Sequence, residues 1–98
     1  MDIEYATGKL AAAARSYQEA LRLYGTIIGR KYHQRLMVLR SVGTVEELYG
    51  HRALRLHPLK GDRAGQLALT LTGNYRLVIE KVRKDTVRIM SVEDYHGD

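Results

Sequence analysis

A carboxylate, a phenol and an imidazole follow one another in the run Asp94-Tyr95-His96-Gly97-Asp98. With an arginine nearby, such groups can hold a phosphate, orient a ring and move a proton. They do not form a conventional nucleophile triad, because neighbours on an extended chain point to opposite faces. Asp94 and His96 share one face and Tyr95 takes the other. A run at a chain end is also prone to fraying. Cross-strand register decides which arginine joins them. A three-residue turn from Lys84 to Thr86 sets Arg76 opposite Asp94 and Val78 opposite Val92, whereas a two-residue turn separates Arg76 from Asp94. In the first register Arg76, Asp94 and His96 converge on one sheet face, either to bind a phosphate or as an ordinary cross-strand ion pair.

Two further basic groups stand out. Between Ala20 and Val45 the chain carries Arg22, Arg30, Lys31, Arg35 and Arg40 and no acid, which makes either a solvated helix surface or a face for a polyanion. Arg52, Arg55, Lys60 and Arg63 surround His51 and His57 close to a loop, where binding residues concentrate. The chain of 98 residues holds 16 Lys and Arg against 11 Asp and Glu, a net charge of +5 that suits a polyanionic partner. Without cysteine, disulfide scaffolds, thiolate nucleophiles and cysteine zinc sites are excluded. His57, Asp94 and His96 contain neither a helical His-x-x-x-His nor a close ligand pair, so no metal and no cofactor is expected. Seven tyrosines with no phenylalanine or tryptophan could stack bases. Tyr17, Tyr24 and Tyr32 fall on apolar helix stripes, which leaves Tyr95 and Tyr75 as the aromatic contacts to consider.

The elements that must position these groups follow from periodicity. Ile3 and Tyr5 alternate with acids in a short strand. Leu10, Ala14, Tyr17, Leu21 and Tyr24 predict a helix over 9–24. Gly25-Thr26 stops it and starts a second helix with Ile28, Tyr32, Leu36 and Leu39 on its apolar stripe, giving an antiparallel helix hairpin. Thr44 and Glu47 have capping-box spacing ahead of a short turn over 45–49. Beyond Gly50 the period becomes 2. Strands are predicted around Leu54–His57, Leu67–Leu71, Tyr75–Val82 and Val87–Asp94, with an exposed basic loop at 60–65 and a turn at Gly73-Asn74. The strand over 75–82 is apolar on both faces, as a central strand is. One α+β domain over 1–98 is expected, with an N-terminal strand and a helix hairpin packed on one face of a mainly antiparallel sheet.

The segments Leu56-His57-Pro58-Leu59-Lys60-Gly61-Asp62-Arg63, Asn74-Tyr75-Arg76-Leu77 and Glu93-Asp94-Tyr95-His96 closely resemble the HigB branch of the RelE/ParE toxin superfamily. The resemblance is densest from Leu54 to His96. It implies a RelE-like fold and the activity of a ribosome-dependent endoribonuclease that cuts messenger RNA in the ribosomal A site without a metal. It also implies a cognate, HigA-like antitoxin as partner. Matched motif by motif, His57, Lys60, Arg76, Asp94, Tyr95 and His96 are the expected catalytic residues. Lys60 and Arg76 lie on the phosphate, Asp94 orients a histidine, Tyr95 holds the nucleotide, and either His57 or His96 is base or acid. Arg30, Lys31, Arg35, Arg55 and Arg63 are the expected contacts to messenger or ribosomal RNA. The same fold could instead carry a ParE-like binding module that poisons DNA gyrase without nuclease chemistry. The joint presence of His57, Lys60, Arg76 and the 94–96 run favours the nuclease. An acidic N-terminus and the lack of a long apolar run point to the cytoplasm, with no membrane association.

Overall fold

The computed structural model describes residues 1–95, so the expected catalytic His96 lies outside the described residues. Strands β1 (Asp2–Tyr5), β2 (His57–Pro58), β3 (Gln66–Thr70), β4 (Tyr75–Arg83) and β5 (Thr86–Asp94) form one sheet in the order β1-β5-β4-β3-β2. The β1-β5 pair is parallel and the others antiparallel, with β4 central as its two apolar faces require. Two helices, α1 (Gly8–Arg15) and α2 (Tyr17–Ser41), precede the meander. None is long and apolar enough to cross a membrane among the described residues.

The helix expected over 9–24 is broken at Ser16, whose extended backbone (φ −150°, ψ 147°) ends α1 and whose hydroxyl accepts from the Glu19 N–H at 3.0 Å to start α2. A side-chain cap on orphan N–H groups makes this restart inexpensive. The break resets the helical phase, so Tyr17 leaves the core stripe it was expected to join and is 39% exposed. Gly25, at φ +84°, then folds α2 back on itself into arms over 17–24 and 26–41. A left-handed backbone of this kind suits glycine alone without strain. The expected helix hairpin is these two arms. They meet where Gly29 lies directly against the Ala20 carbonyl.

Leu10, Ala13, Ala20, Tyr32, Leu36 and Leu39 from the helices bury against Leu69, Leu77, Ile79, Val87 and Ile89 from the sheet and Leu71 just past β3. The Tyr32 hydroxyl, inside this layer, donates to the Leu10 carbonyl at 2.7 Å, which satisfies the one polar atom the ring brings with it. Thr44 makes no cap with its side chain; Glu47 instead accepts from the Gly43 N–H at 3.1 Å. The strand expected over 54–57 shrinks to His57–Pro58, because 52–54 is a 3-10 turn and Arg55 is left-handed (φ 51°, ψ 43°).

The other sheet face carries the polar groups. Cross-strand rows there run His57–Ala68–Val78–Ser91 and Thr70–Arg76–Glu93. Ala68 and Val78 are fully buried, although neither belongs to the helix-side core. This face is therefore partly roofed.

Candidate active site

The β4-β5 register takes the alternative that separates Arg76 from Asp94. Arg83 pairs with Thr86 across a two-residue turn, Lys84-Asp85. The pairing then shifts between Lys81 and Arg83 and again between Val78 and Ile79. The first shift leaves Val82 extra on β4 and the second leaves Met90 extra on β5, so the two bulges offset each other. Arg76 consequently faces Glu93, and Asp94 faces Tyr75. A one-residue change of register exchanges the faces, so Glu93 and Tyr95 accompany Arg76 while Asp94 stands on the side of Val92 and Leu77. The convergence of Arg76 with Asp94 expected from a three-residue turn is corrected accordingly.

On the open face a cavity of about 330 Å³ is lined by Arg55, His57, Thr70, Arg76 and Tyr95. Tyr95 is fixed beyond the end of β5 by its N–H, which donates to the Asn74 carbonyl at 2.9 Å. Its ring packs on Arg76, with the guanidinium carbon 4.8 Å from the ring centre, close enough for a cation–π contact. His57 sits at the edge of the sheet. Its Nδ1 lies 2.9 Å from the Arg55 carbonyl oxygen. A carbonyl only accepts, so Nδ1 carries the hydrogen, and Nε2 is the ring nitrogen able to exchange a proton with a ligand. The left-handed conformation of Arg55 is what turns this carbonyl back toward His57 two residues on. It is the one non-glycine residue with positive φ among the described residues, and such backbone is commonly retained at functional sites.

Glu93, which the sequence reading did not single out, is the centre of a network behind the cavity. Its Oε1 accepts from Arg63 at 3.0 Å and from Arg76 Nη2 and Nε at 3.3 and 3.4 Å. Its Oε2 accepts from Arg63 Nη2 and, at 2.6 Å, from the Ser91 hydroxyl. Arg63 also reaches Gln66 Oε1 at 3.4 Å, so one side chain ties the 61–63 turn to β3 and β5. The Arg63 bonds outweigh the opposing effect of burial and, with help from Ser91 and Arg76, hold the Glu93 carboxyl down at about 2. A carboxyl depressed below its unfolded value stabilises the native state above that value and ceases to do so as pH falls through the native one. Glu93 is 25% and Arg63 36% exposed, so after screening the contribution is on the order of 2 kcal/mol. Urea unfolding of wild type and Glu93→Gln should differ by that amount at pH 7 and converge between pH 4.5 and 2. A difference independent of pH would remove the ion pair from the account.

The other expected residues are distributed more widely. Lys60 is exposed at the start of the 61–63 turn and does not line the cavity. Asp94 is exposed on β5, and Tyr75 packs partly against the helical core instead of opening to a ligand. Arg30 is exposed and Lys31 half-buried on α2, in the layer across the sheet from the cavity. Arg35 is no solvated cation. Its Nε donates to the Thr70 carbonyl at 2.7 Å, and burial lowers its guanidinium from the usual arginine range. It thereby fixes the end of β3, where Thr70 lines the cavity. The structure thus gathers Arg55, His57, Arg76 and Tyr95, backs them with Arg63 and Glu93, and leaves Arg30, Lys31, Lys60 and Asp94 outside the cavity. The lasting signal for Glu93 was its place beside Asp94; an alternating strand obliges one of the two to share a face with Arg76, and the turn length decides which.

No family model matches the chain. It is 33% identical over 66 residues to the endoribonuclease HigB of Proteus vulgaris, an alignment that covers 67% of this chain and 70% of that protein. The fold is similar to the YoeB/ParE toxin from Agrobacterium tumefaciens, with a TM-score of 0.63 at 13% identity over 98% of this chain and 100% of that one. It is also similar to YafQ from E. coli, with a TM-score of 0.56 at 17% identity over 95% of this chain and 91% of that one. At these identities the two structures speak for the fold alone. The match to HigB adds sequence identity over most of both chains, and the chain belongs to the HigB branch of the RelE/ParE toxin superfamily.

Proposed function

We propose that this chain, the endoribonuclease toxin of a type II toxin–antitoxin pair, cleaves messenger RNA in the ribosomal A site through attack by the 2′-hydroxyl. The observation that carries this reading is the meeting of an imidazole, a guanidinium and a phenol at one cavity: His57, Arg76 and Tyr95. In it, His57 takes the proton from the 2′-hydroxyl through Nε2. The freed oxygen attacks the adjacent phosphorus, the bond to the 5′-oxygen breaks, and an acid returns a proton to that oxygen. Arg76 stabilises the extra negative charge on the phosphoryl oxygens. Tyr95 presents an aromatic edge to the nucleotide, Lys60 adds charge from the loop, and Asp94 and His96 serve the leaving-group side. These groups supply base, acid and cation themselves, so the step is written without a metal.

Arg30, Lys31 and Arg55 are the proposed contacts to ribosomal or messenger RNA, with Arg35 and Arg63 acting from within the fold. The reading places the chain in the cytoplasm. A cognate antitoxin is the family partner, and a HigA-like protein is the proposed one. Inducing the chain without that partner and mapping messenger 5′ ends tests the whole reading. Cuts within translated codons should appear and should vanish in His57→Ala and His96→Ala. Growth arrest with intact messengers would replace it by the gyrase-directed reading.

A further inference from the structure

A carboxylate is an unexpected neighbour for a phosphate site, because it repels the ligand the arginines attract. Glu93 nevertheless sits against both Arg63 and Arg76, with Arg76 only 11% exposed and lining the cavity. The two pairs are unequal. Arg63 grips both carboxylate oxygens, whereas Arg76 meets Oε1 alone, at 3.3 and 3.4 Å. The remaining constraint on Oε2 comes from the Ser91 hydroxyl at 2.6 Å. Arg63 therefore neutralises and anchors the carboxylate, and the Arg76 guanidinium contacts both Glu93 Oε1 and the Tyr95 ring, whose centre lies 4.8 Å from its carbon. An arginine side chain is flexible, and fixing its planar fork before substrate arrives removes an ordering step from the reaction.

We propose that Glu93 is a positioning residue of the cleavage site, which holds Arg76 in its reactive orientation while weakening, by its charge, the hold on RNA. The proposal rests on the endoribonuclease reading. It assigns Arg63 to Glu93 in place of the direct RNA contact expected for it. It also gives Ser91 a place, as the hydroxyl that aims the carboxylate. Loss of the negative charge then has opposite consequences for the two halves of catalysis. Arg76 loses its rest position, so turnover falls, while the potential at the phosphate rises, so binding does not weaken. A residue that merely supports the fold gives no such division.

The test compares wild type, Glu93→Gln and Ser91→Ala, each checked by thermal melting, on a messenger presented both free and on programmed ribosomes. Rates at saturating substrate are measured beside the affinity for the same RNA carrying 2′-deoxy substitutions that block cleavage. Glu93→Gln should lower the saturated rate by about tenfold to a hundredfold and leave affinity equal or up to about tenfold tighter. Ser91→Ala, which keeps every charge and loosens only the aim of the carboxylate, should lower the saturated rate about threefold with affinity unchanged, and supplies the answer if the glutamine variant does not fold. A saturated rate within twofold of wild type in the folded variants, or a loss confined to affinity, overturns the proposal. An inactive wild type overturns the nuclease reading itself, and the control lane makes the two failures distinct.

Discussion

Arg76→Ala should cut messenger about 10²- to 10³-fold more slowly than wild type and still fold. The magnitude is that of removing one preorganised charge donor from a developing oxyanion. Two observations set it apart from a general loss of positive charge. Arg76 lines the cavity with its guanidinium carbon 4.8 Å from the centre of the Tyr95 ring, and it is nearly buried in a protein whose net charge of +5 is otherwise carried largely at the surface. The fold should survive because Glu93 keeps its stronger partner, Arg63. Arg76→Lys restores the charge but not the planar fork or the stacking on Tyr95, and should recover only part of the rate. Quantified 5′ ends together with a melting curve for each variant check this. Wild-type cleavage by Arg76→Ala would displace the chemistry from this cavity.

A loss of stability as large as that of breaking the Glu93 network is expected at a position with no chemistry at all. A methyl group on Gly29 would stand 2.5 Å from the Ala20 carbonyl oxygen and 2.8 Å from the Leu21 Cα. Both are backbone atoms and cannot swing aside, so the two arms of α2 must separate. Overpacking of this kind costs about 3 kcal/mol, and the higher helix propensity of alanine returns about 1 kcal/mol. Gly29→Ala should therefore lose about 2 kcal/mol, a fall in Tm of about 8 to 16 °C for a domain of this size. A neutral or stabilising result would show that the arms do not approach so closely. Gly25, where a side chain would meet open space but φ is +84°, makes the comparison useful, since substitution there strains the backbone without a clash.

Much of the architecture was legible because it rests on periodicity. The central position of β4 followed from apolar residues on both faces, and the helix hairpin from a first apolar stripe that ends at Gly25 and a second one, Ile28, Tyr32, Leu36 and Leu39, that starts after it. The break at Ser16 was not legible, because Leu10 to Tyr24 continues a helical spacing across it. A serine cap competes locally with that pattern and wins without altering the apolar content. His57, Arg76 and Tyr95 were picked out by short motifs, and the fold brings the three to one cavity. Glu93 was not, for a different physical reason. Its partner depends on a turn one residue shorter than the alternative and on two bulges that offset each other, and bulges leave no period in a sequence. Arg35 illustrates the same limit. Its charge counted toward a basic surface, but the side chain is half-buried and a hydrogen bond to the Thr70 carbonyl ties it to the end of β3.

The parallel pairing of β1 with β5 joins Asp2 to Thr86 and Tyr5 to Ile89. During synthesis β1 therefore has no edge to bind until β5 has been made, and the closing contact is of the long-range kind that slows folding. β5 is also the strand that carries Glu93 and leads into Tyr95. A nascent chain consequently cannot close this sheet, or complete the cavity that Tyr95 lines, before residues 86–95 have been made.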